Sequence, residues 1–403
     1  MRGNPFRTGP TRLGLICLGW ILLAGCVVGR AAARDDVFRG RQTNTGPEHY
    51  ASWFGDSDGH VFYFGLSPFW QASARCQKAG GRDCALADLE QPGDHLIGRF
   101  DLEHARFLDS LVVRPLDPKA RSSVWDVLVH SNGRIYYTTG WDEFGSVRRD
   151  GSDVRHYAGA GAGLNELWEG PEGEIYVTRY CGSHRGAPDE SGAVAVFGPD
   201  GQHRRELPFK KEDGASICPK SVAVDPHTRD IWVNSDVIRP SGGPTGYETF
   251  RLSSTGQVLE RFASPSVDFL SFDAAGRGWF AENTGGRFVV RIASPDGSVR
   301  RLDLGAHGPI DVVQDIKHFG RVTLLATWGL TVYLVRELPD GKFETKALHP
   351  PRPTHCPPSP VLGYTAVLAP RGEIYESVNC GIMVVRATDI PATKGSRLGS
   401  KPR

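Results

Sequence analysis

Three carboxylates, Asp126, Glu166 and Asp311, stand at one point of a block that recurs along the sequence. Acids gathered from separate blocks can do two kinds of chemistry. As oxygen ligands they hold a hard divalent cation such as Ca²⁺ or Mg²⁺. Crowded without a cation, their pKa values split, which equips one as a general acid and another as a base. Aligning each copy on its turn sets Ser52, Asp126, Glu166, Ser221, Phe269, Asp311 and Thr365 in register. Asn165, Asn234, Asp236, Glu282 and Asn283 are further polar candidates near the same place, each weighed against service as an ordinary strand-end or turn residue. His184 and Arg185 follow Cys181 in a loop and suit an anionic ligand, or plain solvation. The thirteen histidines are otherwise scattered, with no His-Glu-x-x-His, and no nucleophile elbow, P-loop or dinucleotide fingerprint is present.

The elements that would position these residues are repeats. The copies read ASWFGDSDGHVFYFG (51–65), WDVLVHSNGRIYYTT (125–139), NELWEGPEGEIYVTR (165–179) and SVAVDPHTRDIWVNS (221–235). FLSFDAAGRGWFAEN (269–283), DVVQDIKHFGRVTLLATW (311–328) and TAVLAPRGEIYESVN (365–379) complete the set. Each is an apolar strand, a Gly or Asp turn and a second strand rich in aromatic and β-branched residues. A second hairpin follows most of them, as in AVAVFGPDGQHRREL and FVVRIASPDGSVRRL. Four short antiparallel strands per unit predict an all-β fold, a β-propeller of seven blades. The last copy lacks a convincing fourth strand, and Val37–Arg41 is expected to supply it and close the ring. The alternative is six blades with residues 40–120 as a separate cap.

The first residues are an address. Arg2, Arg7 and Arg12 precede an uncharged run, Leu13 to Ala24, laid out as a secretory signal. It ends Leu23-Ala24-Gly25-Cys26, which resembles the lipobox of bacterial lipoprotein precursors. That resemblance implies cleavage before Cys26 and acylation of it, so that acyl chains hold the protein on a membrane of the bacterial cell envelope. Cleavage after Ala31–Ala33, or retention of Leu13–Gly29 as an anchor, are the alternatives. The reading divides the chain into a signal (1–25), a lipidated linker with the closing strand (26–47), the propeller (48–390) and a polar, disordered tail (391–403). Lys plus Arg number 47 and Asp plus Glu 46; losing the signal removes three Arg and no acid, leaving about −2. No bulk basic surface exists to hold nucleic acid.

Six cysteines remain after Cys17 and Cys26 are set aside: Cys76, Cys84, Cys181, Cys218, Cys356 and Cys380. An even number in an exported chain predicts disulfides. In a blade the first strand starts, and the second ends, on one rim, called the top. Cys181 and Cys380 both fall just past a second strand, and Cys218 and Cys356 each precede a first strand. Bridges 181–218 and 356–380 would therefore staple top loops, with 76–84 closing the insertion Gln71–Asp94 on the same face.

Trp279-Phe280-Ala281-Glu282-Asn283-Thr284-Gly285-Gly286-Arg287, continuing to Arg291-Ile292, resembles a blade of the virginiamycin B lyase family. The resemblance implies a seven-bladed propeller and an elimination across an ester, using a base His, a neighbouring Glu and Mg²⁺. At the place of that His this chain has Val267-Asp268-Phe269. Gluconolactonase-like propellers offer a second resemblance, implying one divalent ion held by residues of the kind at Asn165, Glu166, Asn234, Asp236, Glu282, Asn283 and Asp311. Binding propellers of the NHL kind are a third. Together these lead to the expectation of a lipid-anchored propeller that binds a ligand or protein partner on its stapled top face. The alternative is a metal-dependent lyase or lactonase-like hydrolase at the axial mouth.

Overall fold

Period-two alternation in short runs, broken at Gly- and Asp-bearing turns, leaves each run one choice: to pair with its successor. The computed structural model describes residues 51–67, 92–120, 122–181, 192–209, 215–238, 244–263, 266–284, 286–306, 312–350, 362–379 and 381–386. Among them the chain forms seven antiparallel meanders and no helix. The first blade is β1 (Ala51–Ser57), β2 (Val61–Ser67), β3 (His95–Asp101) and β4 (Arg106–Val113). Blade 2 comprises β5 (Asp126–Val129), β6 (Arg134–Thr138), β7 (Phe144–Arg148) and β8 (Arg155–His156). In blade 3 they are β9 (Leu164–Glu169), β10 (Ile175–Arg179), β11 (Ala193–Phe197) and β12 (His203–Pro208). Blade 4 holds β13 (Ser216–Val224), β14 (Ile231–Ile238), β15 (Pro244–Leu252) and β16 (Val258–Phe262). Then come β17 (Ser266–Phe272), β18 (Gly278–Thr284), β19 (Arg287–Ala293) and β20 (Val299–Ala306) of blade 5. Blade 6 is β21 (Val313–Phe319), β22 (Val322–Thr327), β23 (Val332–Glu337) and β24 (Phe343–Leu348). The last blade shows three strands, β25 (Gly363–Leu368), β26 (Glu373–Val378) and β27 (Gly381–Arg386). The closing strand expected at Val37–Arg41 lies outside the described residues, as do the lipobox and the polar tail. Contacts split the chain into units 1–33 and 34–403, and everything described belongs to the second.

The core is divided among the seams. Each pair of neighbouring blades shares its own apolar cluster, as Tyr176, Val194 and Val196 of blade 3 do with Val222, Val233 and Phe250 of blade 4. The first and last blades meet in the same way: Phe62, Phe64, Leu66 and Phe100 pack on Val367, Tyr375 and Ile382. Residues 51–113 are thus a blade and not a cap, which removes the six-bladed alternative. Nearer the axis that seam carries an aromatic cluster in which Trp53 packs tilted against Trp125 at 4.7 Å and edge-to-face against Tyr364 at 4.9 Å between ring centres. The Gly55 N–H donates to Thr365 Oγ1 across it at 3.4 Å.

Candidate functional site at the axial mouth

The innermost strands decide which side chains reach the axis. Counting four residues back from each first turn gives Phe54, Asp126, Glu166, Ser221, Phe269, Asp315 and Thr365. Five of these match the alignment made on sequence, and two do not. Blade 6 closes its first hairpin tightly, with Phe319 opposite Val322. Its copy therefore begins at Asp315, and Asp311 lies outside the described residues. In blade 1 the equivalent residue is Phe54, inside the aromatic seam, in place of Ser52. Six of the seven inner strands slip register at or just before this position. A bulge re-aims the side chain beside it, which is how a regular ring builds an irregular mouth.

Asp126, Glu166 and Asp315 are buried, and Glu166 feels the charge of both the others. Burial, with a smaller push from Asp315, lifts the Asp126 carboxyl to about 7. Burial and then the charges of Asp126 and Asp315 raise Glu166 well above the carboxylate range. Asp315 is raised as well, mainly by burial. Between them sits a residue that the sequence reading did not single out. Lys317, two residues after Asp315 on the same strand face, brings its ammonium to 3.7 Å from Asp315 and 3.8 Å from Asp56 of blade 1. Burial alone would lower the Lys317 pKa; the charges of Asp315, Asp56, Asp126 and Glu166 outweigh it and raise it. The fold thus puts its own cation among the acids. No group of three His, Cys, Asp or Glu among the described residues is placed to hold a metal ion.

The three acids are not equivalent. Asp126 accepts the Val127 N–H on Oδ1 and the Leu167 N–H of blade 3 on Oδ2, both at 2.7 Å. Two such donors favour the ionised form. Glu166 has no such tie to the main chain through its carboxyl, so the proton that crowding demands resides there. A consequence for mutagenesis follows. Asp126→Asn must turn an amide NH₂ toward one of two main-chain N–H groups and should cost about 1–3 kcal/mol. Glu166→Gln, which merely fixes the neutral form, should cost much less. Urea denaturation of both variants at pH 7 checks this; equal losses would contradict the assignment.

Other polar candidates tie blade to blade. Asn165 Nδ2 donates to the Lys220 carbonyl at 3.1 Å and Asn234 Nδ2 to the Asp268 carbonyl at 3.0 Å. Asp268 Oδ2 accepts the Val313 N–H at 3.4 Å. Glu282 is bound to Arg291 at 2.5 Å, and that guanidinium lies over the Phe280 ring. The motif's Glu and Arg are therefore one ion pair across β18 and β19, its carboxylate buried and its guanidinium partly exposed, and Asn283 pairs with Ser266 in the ladder. Asp236, paired opposite Cys218 in the blade 4 ladder, accepts the Tyr180 hydroxyl at 2.8 Å; burial first, then Asp236, raises the Tyr180 pKa. Cys181 and Cys218 are bridged, as expected, joining the ends of β10 and β13 at the top. Cys76, Cys84, Cys356, Cys380, His184 and Arg185 lie outside the described residues.

Several buried atoms of this mouth make no hydrogen bond: Asp315 Oδ2, Asp236 Oδ1, Asn234 Oδ1 and Ser221 Oγ. Three of the four can only accept. The mouth thus keeps buried acceptors that no hydrogen bond satisfies, even with the Lys317 ammonium 3.7 Å from Asp315, and what would complete it is a donor.

No protein-family model matches the sequence, and no curated protein matches it. Solved structures do resemble the fold. The extracellular domain of a putative one component system from B. thetaiotaomicron aligns over 86% of this chain at 10% identity with a TM-score of 0.51. That of a putative hybrid two component system from the same organism aligns over 86% at 12% identity with a TM-score of 0.50. This chain spans only about two fifths of their length, 42% and 41% respectively. At such identity the likeness shows the propeller fold alone.

Proposed function

We propose that this chain is an exported, lipid-anchored β-propeller that binds a cationic, donor-rich ligand at the top mouth of its channel. That ligand is a small amine or a basic side chain of a protein partner. The observation that carries the proposal is the convergence of Asp126, Glu166 and Asp315 from three blades beside acceptor atoms with no donor. Buried acceptors left unpaired cost about 1–3 kcal/mol each, so a ligand that pairs them gains selectively. The disulfide at the same rim and the secretory layout of residues 1–24 support export. Calorimetric titration with spermidine and with neutral glycerol tests the binding. Spermidine should bind, Asp315→Asn should weaken it at least tenfold, and glycerol should give no heat. Absence of spermidine binding would remove the cationic class.

A hydrolytic reading rests on one observation, the Asp126 carboxyl held near neutrality, where a general base works best. The lyase pattern has less support. Asp268, in the strand position of that family's base, is engaged with blade 6, and Glu282 is locked to Arg291.

The anchor has its own expected result. Cys26→Ser should block acylation and leave the signal uncleaved by the lipoprotein peptidase, so that the chain keeps its precursor mass and takes up no labelled fatty acid. Unchanged processing and labelling would eliminate acylation at Cys26.

A further inference from the structure

On the face opposite the mouth, the turns of blades 3 and 4 enclose a cleft of about 350 Å³. Three guanidinium groups line it, Arg204 and Arg205 from β12 and Arg229 from the turn between β13 and β14. Their charges are unequally answered. Arg229, held at a positive φ of 66° that few non-glycine residues adopt, has Glu172 at 3.3 Å. Glu174, the other acid on the wall, accepts the Glu172 N–H at 3.1 Å. Among the described residues neither Arg204 nor Arg205 has a carboxylate in ion-pair range. Arg205 touches the Tyr176 hydroxyl, and its Nε is buried with no hydrogen-bond partner. A Cβ on Gly198 would meet Arg204 Nε at 2.7 Å, so glycine there lets that guanidinium fold over the main chain. Two forks without an ion-pair partner, one of them on the Tyr176 hydroxyl and carrying a buried orphan Nε–H, form an incomplete arrangement that a tetrahedral oxyanion completes.

We propose that this cleft binds a small organic monoester of phosphate or sulfate, its oxyanion gripped by Arg204 and Arg205 and its organic part against Tyr176. The volume lies at the small end of ligand sites, sufficient for a monosaccharide ester. Glu172 acts as a built-in competitor by holding Arg229 away.

The test is calorimetry on the full chain in detergent with glucose 6-phosphate, glucose 6-sulfate and inorganic phosphate. At least one ester should bind with a Kd of about 1 mM or below. Arg204→Gln and Arg205→Gln should each weaken it tenfold or more. Glu172→Gln, which frees Arg229, should tighten it several-fold, and Glu344→Gln, exposed on blade 6, should change nothing. A phosphate ester gains charge as pH rises from 5.5 to 8 and a sulfate ester does not, so the pH trend identifies the head group. The proposal is overturned if neither ester binds, if inorganic phosphate binds as well as both, or if the two arginine variants bind like the parent.

Discussion

Lys317→Met is expected to destabilise the protein by about 3 kcal/mol at pH 8, because it strips the cation from a buried cluster of acids. The ammonium lies within 4 Å of Asp315 and Asp56, and Asp126 and Glu166 also feel it. The loss must depend on pH in a definite direction. Lys317 has its folded pKa raised, so its own contribution is present throughout the neutral range and is lost only at strongly alkaline pH. Asp126, Glu166 and Asp315 are raised too, so the folded state retains protons that the unfolded chain releases above about pH 4. Stability therefore falls as pH rises through and beyond that value, and without Lys317 it falls further. The deficit of the variant should be large at pH 8 and small near pH 4. Denaturant titration at both pH values measures it, and a pH-independent deficit would mean that Lys317 serves only as packing.

Glu376→Met should do the reverse and stabilise. Glu376 is fully buried on β26, and neither carboxyl oxygen has a hydrogen-bond partner. In the matching ladder position other blades carry Tyr137, Val233, Phe280 and Leu325. Gly363 makes the room: a Cβ there would meet Glu376 Oε1 at 2.2 Å. Burial raises the Glu376 pKa well above the ordinary carboxyl value. The folded state thus keeps a proton that the unfolded state loses, and the cost grows as pH rises from about 4 upward. Methionine fills a similar volume without polar atoms. A gain of about 2 kcal/mol at pH 6 is expected, larger at pH 8. Melting curves showing no gain at either pH would mean that the carboxyl has a partner in solution.

The ring was legible because its punctuation is local. Turns such as Gly170–Gly173 and Ala369–Gly372 recur at the same offset from their strands, and the chain obeys them. The pairing of Cys181 with Cys218 followed from the same counting. Blade 6 misled because its hairpin turns in fewer residues and later in the copy, so a turn placed too early pointed to Asp311 instead of Asp315. Lys317 was readable in principle: in Asp315-Ile316-Lys317 the acid and the lysine share a strand face. A search for acids alone passes over it. The role of Glu282 was hidden for another reason, since nothing in one strand says which neighbour will neutralise its charge. The cleft of Arg204, Arg205 and Arg229 was illegible because two blades contribute to it.

The seam between first and last blades joins Gly55 to Thr365, partners 310 positions apart. Each meander can form from neighbours as soon as it is made, but this contact waits for the whole chain, and distant contacts are slow to form. At a synthesis rate of ~5–20 residues per second, the first blade exists for roughly 15–60 s before its partner does. Through that interval Phe62, Phe64, Leu66 and Phe100 face no partner blade. A nascent chain in that state is prone to aggregate and is a natural client for a holding chaperone. Truncation anywhere before residue 364 would make the state permanent, so the quality of the final blade decides the fate of the first.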